Sequence, residues 1–193
     1  MITMELPLRQ TDRSGRPYVV RYYQPEDRPA LEAMYADFEP KRAAQGLPPE
    51  SPERVRRWLD RVLGVGIHLV VEVGGRVLGH VMLIPMDEGT AELANFLHQS
   101  IRNRGIGTAM NRVAAEIARE AGYRRLWLSV EPSNRPAIRS YQNAGFRQLP
   151  GSLWAPEITM ALDLGAAPAG EPAAAAGSRP RAVPVANPRS PRA

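Results

Sequence analysis

The stretch SIRNRGIGTAM, residues 100–110, decides how this sequence is interpreted, because it joins a β-rich segment to a regular helical pattern. Two glycines, Gly105 and Gly107, stand at the start of that helix, and two arginines, Arg102 and Arg104, precede them. The first main-chain N–H groups of a helix lack partners within the helix, and its dipole is positive at that end. Because the glycines carry no Cβ, an anion can approach these groups closely. The stretch therefore predicts an anion site at the start of a helix.

Two common phosphate-binding loops do not fit this stretch. A dinucleotide-binding fingerprint needs a third glycine, and Met110 stands at that position. A P-loop needs Gly-Lys-Ser/Thr, which is missing here. From the loop alone, an anion site and a plain turn at the start of a helix both stay open.

The segments around the loop alternate between strand and helix patterns. Apolar residues at helical spacing predict a first helix from Leu31 to Phe38, and Ser51 is placed to cap a second one. The helix after the glycine loop is predicted to end at Gly122, and a shorter fourth helix at Gly145. Strand patterns occupy residues 18–23, 67–73, 76–85, 90–99, 124–130, 146–150 and 157–164.

Two connections predict how these strands pair. The dipeptide Gly74-Gly75 between two strand patterns is typical of an antiparallel hairpin. The strands at 90–99 and 124–130 flank a helix of about sixteen residues, so they form a βαβ unit and lie parallel. We expect an α/β fold, with a mixed, mostly antiparallel, twisted sheet of six to seven strands and helices on both faces.

The composition indicates one soluble domain without metal or disulfides. The 193 residues are 44% hydrophobic and include no cysteine. The three histidines, at 68, 80 and 98, have no metal-ligand spacing, so no metal is predicted. No apolar run approaches the roughly 18 residues that span a bilayer, and the N-terminus has no export segment. We therefore expect no membrane partner and a cytoplasmic location.

The charge is unevenly distributed along the chain. The net charge is +5, and residues 165–193 carry +3 of it, with four arginines against Glu171. This segment is rich in Ala and Pro and has no periodicity, which is typical of a disordered tail. We expect a folded domain over residues 1–164, followed by this tail. Because the domain is nearly neutral, nucleic-acid binding is not expected of it and would depend on the tail.

A second signature follows the glycine loop by about thirty residues: SNRPAIRSYQNAGF, residues 133–146. Here Asn134 begins a short helix, Tyr141 lies two turns along it, and Gly145-Phe146 closes it. Together with R-N-R-G-I-G, this pattern resembles the GCN5-related N-acetyltransferase (GNAT) family. The loop resembles the family's R/Q-x-x-G-x-G/A motif, and the second stretch its N-x-x-A-x-x-x-Y-x-x-x-G-F signature. The resemblance spans residues 18–164 and agrees with the predicted order of strands and helices.

The resemblance implies that the anion is the pyrophosphate of acetyl-CoA or another acyl-CoA. In the family, a bulge splays the strand at 90–99 from its parallel neighbour, and its exposed backbone binds the pantetheine arm. Asn134 is implied to contact that arm from the other side, and it could also cap its helix. The residues implied to bind the cofactor are Asn95, Phe96, Leu97, Arg102, Asn103, Arg104, Gly105, Ile106, Gly107, Thr108 and Asn134.

The reaction that the resemblance implies is direct attack of an amine on the thioester in a ternary complex. Tyr141 matches the family's general acid, which protonates the departing thiolate; packing of its ring against the sheet is the alternative. Some members place a base where this chain has Ser129, which cannot serve. Others place a Glu near Glu92, although a gap-free count puts Ala91 there. Glu92 is the candidate base, with an ordered water chain or Glu131 as alternatives.

The acceptor remains open at this level. In the family, the acceptor side is built by the loop at 37–50 and the last hairpin loop at 150–157. These carry Asp37, Phe38, Glu39 and Trp154, which suit a cationic amine or an ordinary protein rim. Three hypotheses concern this site: acetylation of a small primary amine, acetylation of a protein or peptide amine, and a non-catalytic acyl-CoA-binding regulatory module. Nucleic-acid binding through the arginines of the tail is a fourth and the least expected. The sequence also leaves the oligomeric state open, a homodimer included.

Overall fold

A computed structural model describes residues 4–41, 47–87, 89–151 and 156–165 of the chain. In that part, eight strands form one mixed sheet in the order β1-β2-β3-β4-β5-β6-β8-β7. Short 3-10 turns, Pro25–Asp27 and Gln99–Ile101, precede α1 and α3. The elements are β1 (Leu8–Thr11), β2 (Pro17–Tyr22), α1 (Arg28–Ala36), α2 (Pro52–Val62), β3 (Ile67–Val73), β4 (Arg76–Asp87), β5 (Thr90–Leu97), α3 (Ile106–Glu120), β6 (Arg125–Val130), α4 (Arg135–Asn143), β7 (Arg147–Gln148) and β8 (Ile158–Asp163).

The predicted fold class is confirmed, with one strand more than expected. The additional strand is β1, whose four residues LRQT lie at the edge of the sheet and alternate between partly buried and exposed. So short a segment shows little periodicity in the sequence, and it becomes a strand because it pairs with β2. At the other end, β8 lies between β6 and β7, which is only two residues long.

The helices cover both faces of the sheet. On one face, α1 and α2 pack through an aromatic cluster of Tyr35, Trp58 and Phe96, whose ring centroids lie 5.3 to 5.9 Å apart. On the other face, α3 buries Met110, Val113, Ala114 and Ile117, in the helical spacing of the sequence. This two-sided packing buries the middle strands, as their continuous apolar sequences require.

The predicted helix ends are also found. Ser51 caps α2, where its hydroxyl oxygen accepts a hydrogen bond of 3.3 Å from the main chain of Arg54. Gly122 follows the end of α3 with φ of +86°, and Gly145 follows α4 with φ of +99°. These left-handed conformations suit glycine, which therefore ends both helices.

The parallel strands β5 and β6 are paired over only three residues, from Thr90–Arg125 to Glu92–Trp127. Beyond Glu92 they separate, which opens the edge of β5 toward β6. The implied bulge in β5 is wrong, because β5 stays in continuous register with β4 from Ala91 to Leu97. A register shift between β4 and β5 occurs instead at Pro85 and Asp87 in β4, outside the opening. The strands thus separate without a bulge beside the gap.

Residues 166–193, which include nearly all of the predicted tail, lie outside the described residues. Within the described ranges, no helix combines the length and the apolar content needed to cross a bilayer.

Candidate active site

A cavity of about 740 Å³ lies between the start of α3 and helix α4, and the β5 residues that follow the separation from β6 form part of its wall. Most of the predicted cofactor-binding residues line it. They are Asn95, Phe96, Leu97, Arg102, Asn103, Gly105, Gly107, Thr108 and Asn134, joined by Tyr141. Arg104 and Ile106 do not line it, and the side chain of Ile106 is 1% exposed in the core. Ile106 can therefore contribute to a ligand site only through its main chain, and the part of Arg104 stays a prediction.

The glycine loop turns sharply into α3 through two left-handed residues. Asn103 has φ of +61° and Gly105 has φ of +84°; asparagine and glycine are the residues that tolerate this region best. A Cβ at Gly105 would lie 3.0 Å from Nε of Arg13, and one at Gly107 would lie 3.2 Å from Oγ of Ser140. The glycines thus allow neighbouring protein groups to approach the loop, in addition to freeing its N–H groups for an anion.

The two arginines of the loop are engaged with the protein itself. Arg102 donates from Nε to the Leu97 carbonyl at 2.8 Å and from Nη2 to the Glu39 carbonyl. Its guanidinium also lies 4.8 Å from the ring centroid of Phe38. Arg104 faces the carboxylate of Asp12 at 3.7 Å. Both arginines therefore help to hold the loop in place, and their part in cofactor binding stays a prediction.

The main chain of β5 offers hydrogen-bonding groups to the gap. The N–H of His98 donates to the Leu78 carbonyl at 2.9 Å, so even-numbered residues pair with β4 and odd-numbered residues turn toward β6. At Leu97 the carbonyl already accepts from Arg102. Its N–H and the main-chain groups of Asn95 are left facing the gap, which suits an extended ligand added like a strand.

A polar network that the sequence did not reveal joins the walls of the cavity. Nδ2 of Asn95 donates to Oδ1 of Asn111 at 2.9 Å, and Nδ2 of Asn111 donates to Oγ of Ser140 at 3.1 Å. Asn111 is fully buried in α3, while Ser140 belongs to α4. Because buried amides are costly without partners, the network fixes the distance between β5, α3 and α4. The feature of the sequence that could have indicated this network is Asn111, an amide beside the apolar residues of the α3 pattern.

Helix α4 presents two predicted residues to the cavity. Asn134 caps the helix, since its Oδ1 accepts a hydrogen bond of 3.3 Å from the N–H of Ala137. Its Nδ2 is left for the cavity, so capping and ligand binding are compatible. Tyr141 is 9% exposed, and its ring centroid lies 5.7 Å from that of Phe146. It therefore packs in the core and reaches the cavity at once.

The buried position of Tyr141 affects its acidity. Desolvation of the phenolate raises the pKa of Tyr141 to about 12. The hydroxyl consequently keeps its proton throughout the physiological pH range. A neutral phenol at this place is a hydrogen-bond donor to any group that develops negative charge in the cavity.

Glu92 lies at the last paired position of β5, directly before the strands separate. It alternates with Leu93, which packs toward α3, and shares its face with Ala94 and Phe96, which pack toward α1 and α2. Burial, and secondly the charge of Glu157, raises the pKa of the Glu92 carboxyl. Glu92 does not line the cavity; it lies across the sheet from Tyr141, at the vertex of the opening.

The predicted acceptor side is described in part. His98 binds Oδ2 of Asp37 through Nε2 at 3.1 Å, which attaches the end of β5 to the end of α1. Phe38 lines the cavity and Glu39 holds Arg102 through its carbonyl. Trp154 and residues 42–46 lie outside the described residues.

Comparison with known protein families decides the assignment. The profile of the acetyltransferase (GNAT) family matches residues 29–146, which is more than half of the chain. The chain belongs to this family. As a GNAT acetyltransferase it is an acyltransferase with acetyl-CoA as its cosubstrate, and the residues that line the cavity fit that role. The matched range includes the glycine loop, Glu92 and Tyr141, and it excludes β1 and β2.

Individual relatives of this GNAT protein match it over a short segment or at low sequence identity. Streptothricin acetyltransferase from Streptomyces lavendulae is 49% identical over 45 residues, which cover 23% of this chain and 24% of that protein. The GNAT domain of S. lividans PAT superposes with a TM-score of 0.69 at 22% identity, over 81% of this chain and 96% of that one. The acetyltransferase yncA from Salmonella typhimurium, solved with acetyl-CoA, gives 0.61 at 20% identity, over 79% and 99%. At these identities the structures establish the fold alone.

Proposed function

We propose that this protein transfers the acetyl group of acetyl-CoA to a primary amine by direct attack in a ternary complex. One observation supports the proposal: a candidate general base and a candidate hydrogen-bond donor lie on opposite faces of the sheet, at the place where β5 and β6 separate. Tyr141 approaches from the face of α3 and α4, and Glu92 from the face of α1 and α2. The thioester would lie between them, reached by the cofactor from one side and by the amine from the other.

Each group has a distinct part in this reaction. The amine nitrogen forms a bond to the thioester carbon as the carbon–sulfur bond breaks, and the sulfur departs as a thiolate. Glu92 accepts a proton from the amine, directly or through water, and the Tyr141 hydroxyl donates a hydrogen bond to the sulfur as it departs as a thiolate. A raised pKa makes Glu92 a stronger base than an exposed carboxylate, so it suits proton abstraction from an amine.

Cofactor binding rests on the main chain and on α4. The N–H groups at the start of α3 would hold the pyrophosphate, helped by the positive end of the helix dipole. The gap-facing groups of Asn95 and Leu97, and Nδ2 of Asn134, would hold the pantetheine arm. The network through Asn111 keeps these walls at a fixed distance.

The experiment is a screen of acceptors with acetyl-CoA, measuring free thiol and the mass of the product. The panel contains small primary amines, streptothricin because of the matching relative, and peptides with free N-terminal or lysine amines. We expect thiol release that depends on a primary amine, with an added acetyl group on that amine. Absence of turnover across the panel, together with CoA binding, would refute the proposal in favour of a non-catalytic acyl-CoA-binding module.

A further inference from the structure

We infer that Arg13, in the turn between β1 and β2, binds a phosphate of acyl-CoA. The inference rests on acyl-CoA binding as placed under the proposed function. Arg13 lies outside the family match at residues 29–146, so the contact belongs to the N-terminal hairpin of this chain. Nothing in the glycine-loop motif itself points to it.

The turn is rigid because a buried carboxylate organises it. Oδ1 of Asp12 accepts hydrogen bonds from the N–H of Ser14 at 2.8 Å, the hydroxyl of Ser14 at 2.7 Å and the N–H of Arg16 at 3.0 Å. The bond from the Ser14 hydroxyl is the main reason that the pKa of Asp12 is lowered. The Asp12 side chain is 2% exposed, so the turn keeps its shape while Arg13 projects from it.

The same turn is docked on the glycine loop. The N–H of Arg13 donates to the Arg104 carbonyl at 3.0 Å, and the Asp12 carboxylate lies 3.7 Å from the Arg104 guanidinium. The side chain of Arg13 then runs over Gly105, where a Cβ would meet its Nε, Cγ and Cδ at 3.0 to 3.4 Å. Arg13 is thereby directed along the loop into the cavity, which it lines.

Among the arginines that contact the glycine loop or belong to it, the described contacts leave Arg13 with the guanidinium least engaged by protein groups. Arg102 is bound to two carbonyls and to the Phe38 ring, and Arg104 faces Asp12. Within the described part of the chain, the Arg13 guanidinium makes no ion pair, and it lies against Gly105, the residue directly before α3. A guanidinium there can pair with phosphate oxygens while the helix N–H groups bind the same anion.

The test is calorimetric titration of the full-length protein with CoA and with dephospho-CoA, which lacks the 3′-phosphate. We expect Arg13→Ala to raise the Kd for CoA about ten- to hundredfold, as for loss of a charge-assisted phosphate contact. Arg16→Ala is the matched control, because it removes an exposed arginine from the same turn that does not line the cavity. It should leave the Kd within about twofold, and Arg13→Lys should retain part of the affinity.

The outcomes distinguish the pyrophosphate from the 3′-phosphate as the group that Arg13 contacts, and they test the Arg13 inference separately from the proposed reaction. An equal loss for both ligands places Arg13 on the pyrophosphate, whereas a loss confined to CoA places it on the 3′-phosphate; either result supports the inference. An unchanged Kd in Arg13→Ala, or an equal loss in Arg16→Ala, would overturn it. Because binding is measured without an acceptor, tight CoA binding without acetyl transfer would contradict the proposed reaction alone.

Discussion

Replacement of Tyr141 by Phe removes one oxygen from the cavity and tests the proposed acid. The phenol, with a pKa of about 12, is less acidic than a free thiol, whose pKa is about 8.5. Complete proton transfer to a solvated thiolate would cost ~5 kcal/mol at 1.36 kcal/mol per pKa unit. In the proposed reaction, Tyr141 would therefore act chiefly as a hydrogen-bond donor to the sulfur as its charge develops. Full proton transfer would be favoured only if the cavity also raised the pKa of the thiol. Loss of such a donor lowers kcat about 10²- to 10³-fold.

The assay for Tyr141→Phe uses the best acceptor from the amine screen, and follows thiol release at saturating acetyl-CoA. The KM for acetyl-CoA and the Kd for CoA should change less than about threefold, because the ring packing on Phe146 is kept. Tyr123→Phe is the matched control, since Tyr123 is also partly buried but lies outside the cavity. A Tyr141→Phe variant with kcat within about threefold of the parent would refute the assignment.

Three further predictions concern the carboxylate, the pH profile and the loop. Glu92→Gln should lower kcat about 10²- to 10⁴-fold yet raise Tm at neutral pH. Because the fold raises the pKa of the Glu92 carboxyl, ionisation of this group destabilises the folded protein as the pH rises through the folded-state pKa. The increase in Tm should therefore vanish near pH 4, where the carboxyl is protonated in the folded protein. In the parent enzyme, the ionisation of Tyr141 should cause no alkaline loss of kcat below about pH 10; an earlier loss that Tyr141→Phe abolishes would contradict this. Gly105→Ala should destabilise the protein by ~1–2 kcal/mol in urea titration, because φ is +84°, and should weaken CoA binding; unchanged stability would exclude a structural need for glycine.

Local patterns were enough to predict most of the fold. Helical spacing and caps such as Ser51 are properties of neighbouring residues, as is the alternation of strand and helix that produces a parallel pair. The edge strand β1 was missed because its four residues form a strand only through pairing with β2. A bulge was expected in β5 from the family resemblance, yet early loss of pairing with β6 opens the gap without one.

The candidate site was predictable as a set of positions, but the partners of its charges were not. The sequence places Arg102 and Arg104 beside the glycines, which favours a phosphate role for both. Two of their partners, the Glu39 carbonyl for Arg102 and Asp12 for Arg104, lie far away along the chain. Because protein groups already occupy part of each guanidinium, sequence proximity to a motif is by itself insufficient evidence for a phosphate contact.

His68 and His80 form a buried contact that their spacing in the sequence does not predict. His68 and His80 have no metal-ligand spacing, but the hairpin of β3 and β4 places Nδ1 of His68 3.0 Å from Nε2 of His80. Nε2 of His68 donates to the Val65 carbonyl, so its Nδ1 must accept from His80. Nδ1 of His80 then accepts from the Tyr35 hydroxyl at 2.8 Å. Burial lowers the pKa of both histidines, and two neutral rings satisfy all three hydrogen bonds of the series from Tyr35 to Val65.

The early end of the β5–β6 pairing has a chemical consequence. A continuous sheet would separate the face that carries Tyr141 from the face that carries Glu92, because its main chain forms a closed barrier of paired N–H and C=O groups. With only three paired residues, the barrier ends at Glu92, and the gap-facing groups of β5 become free to bind an extended ligand. In the proposed reaction, binding of the donor and access of the acceptor from the opposite face would both depend on one feature, the point at which two parallel strands stop pairing. Glu92, the proposed proton acceptor, stands at that point because it is the last paired residue of its strand.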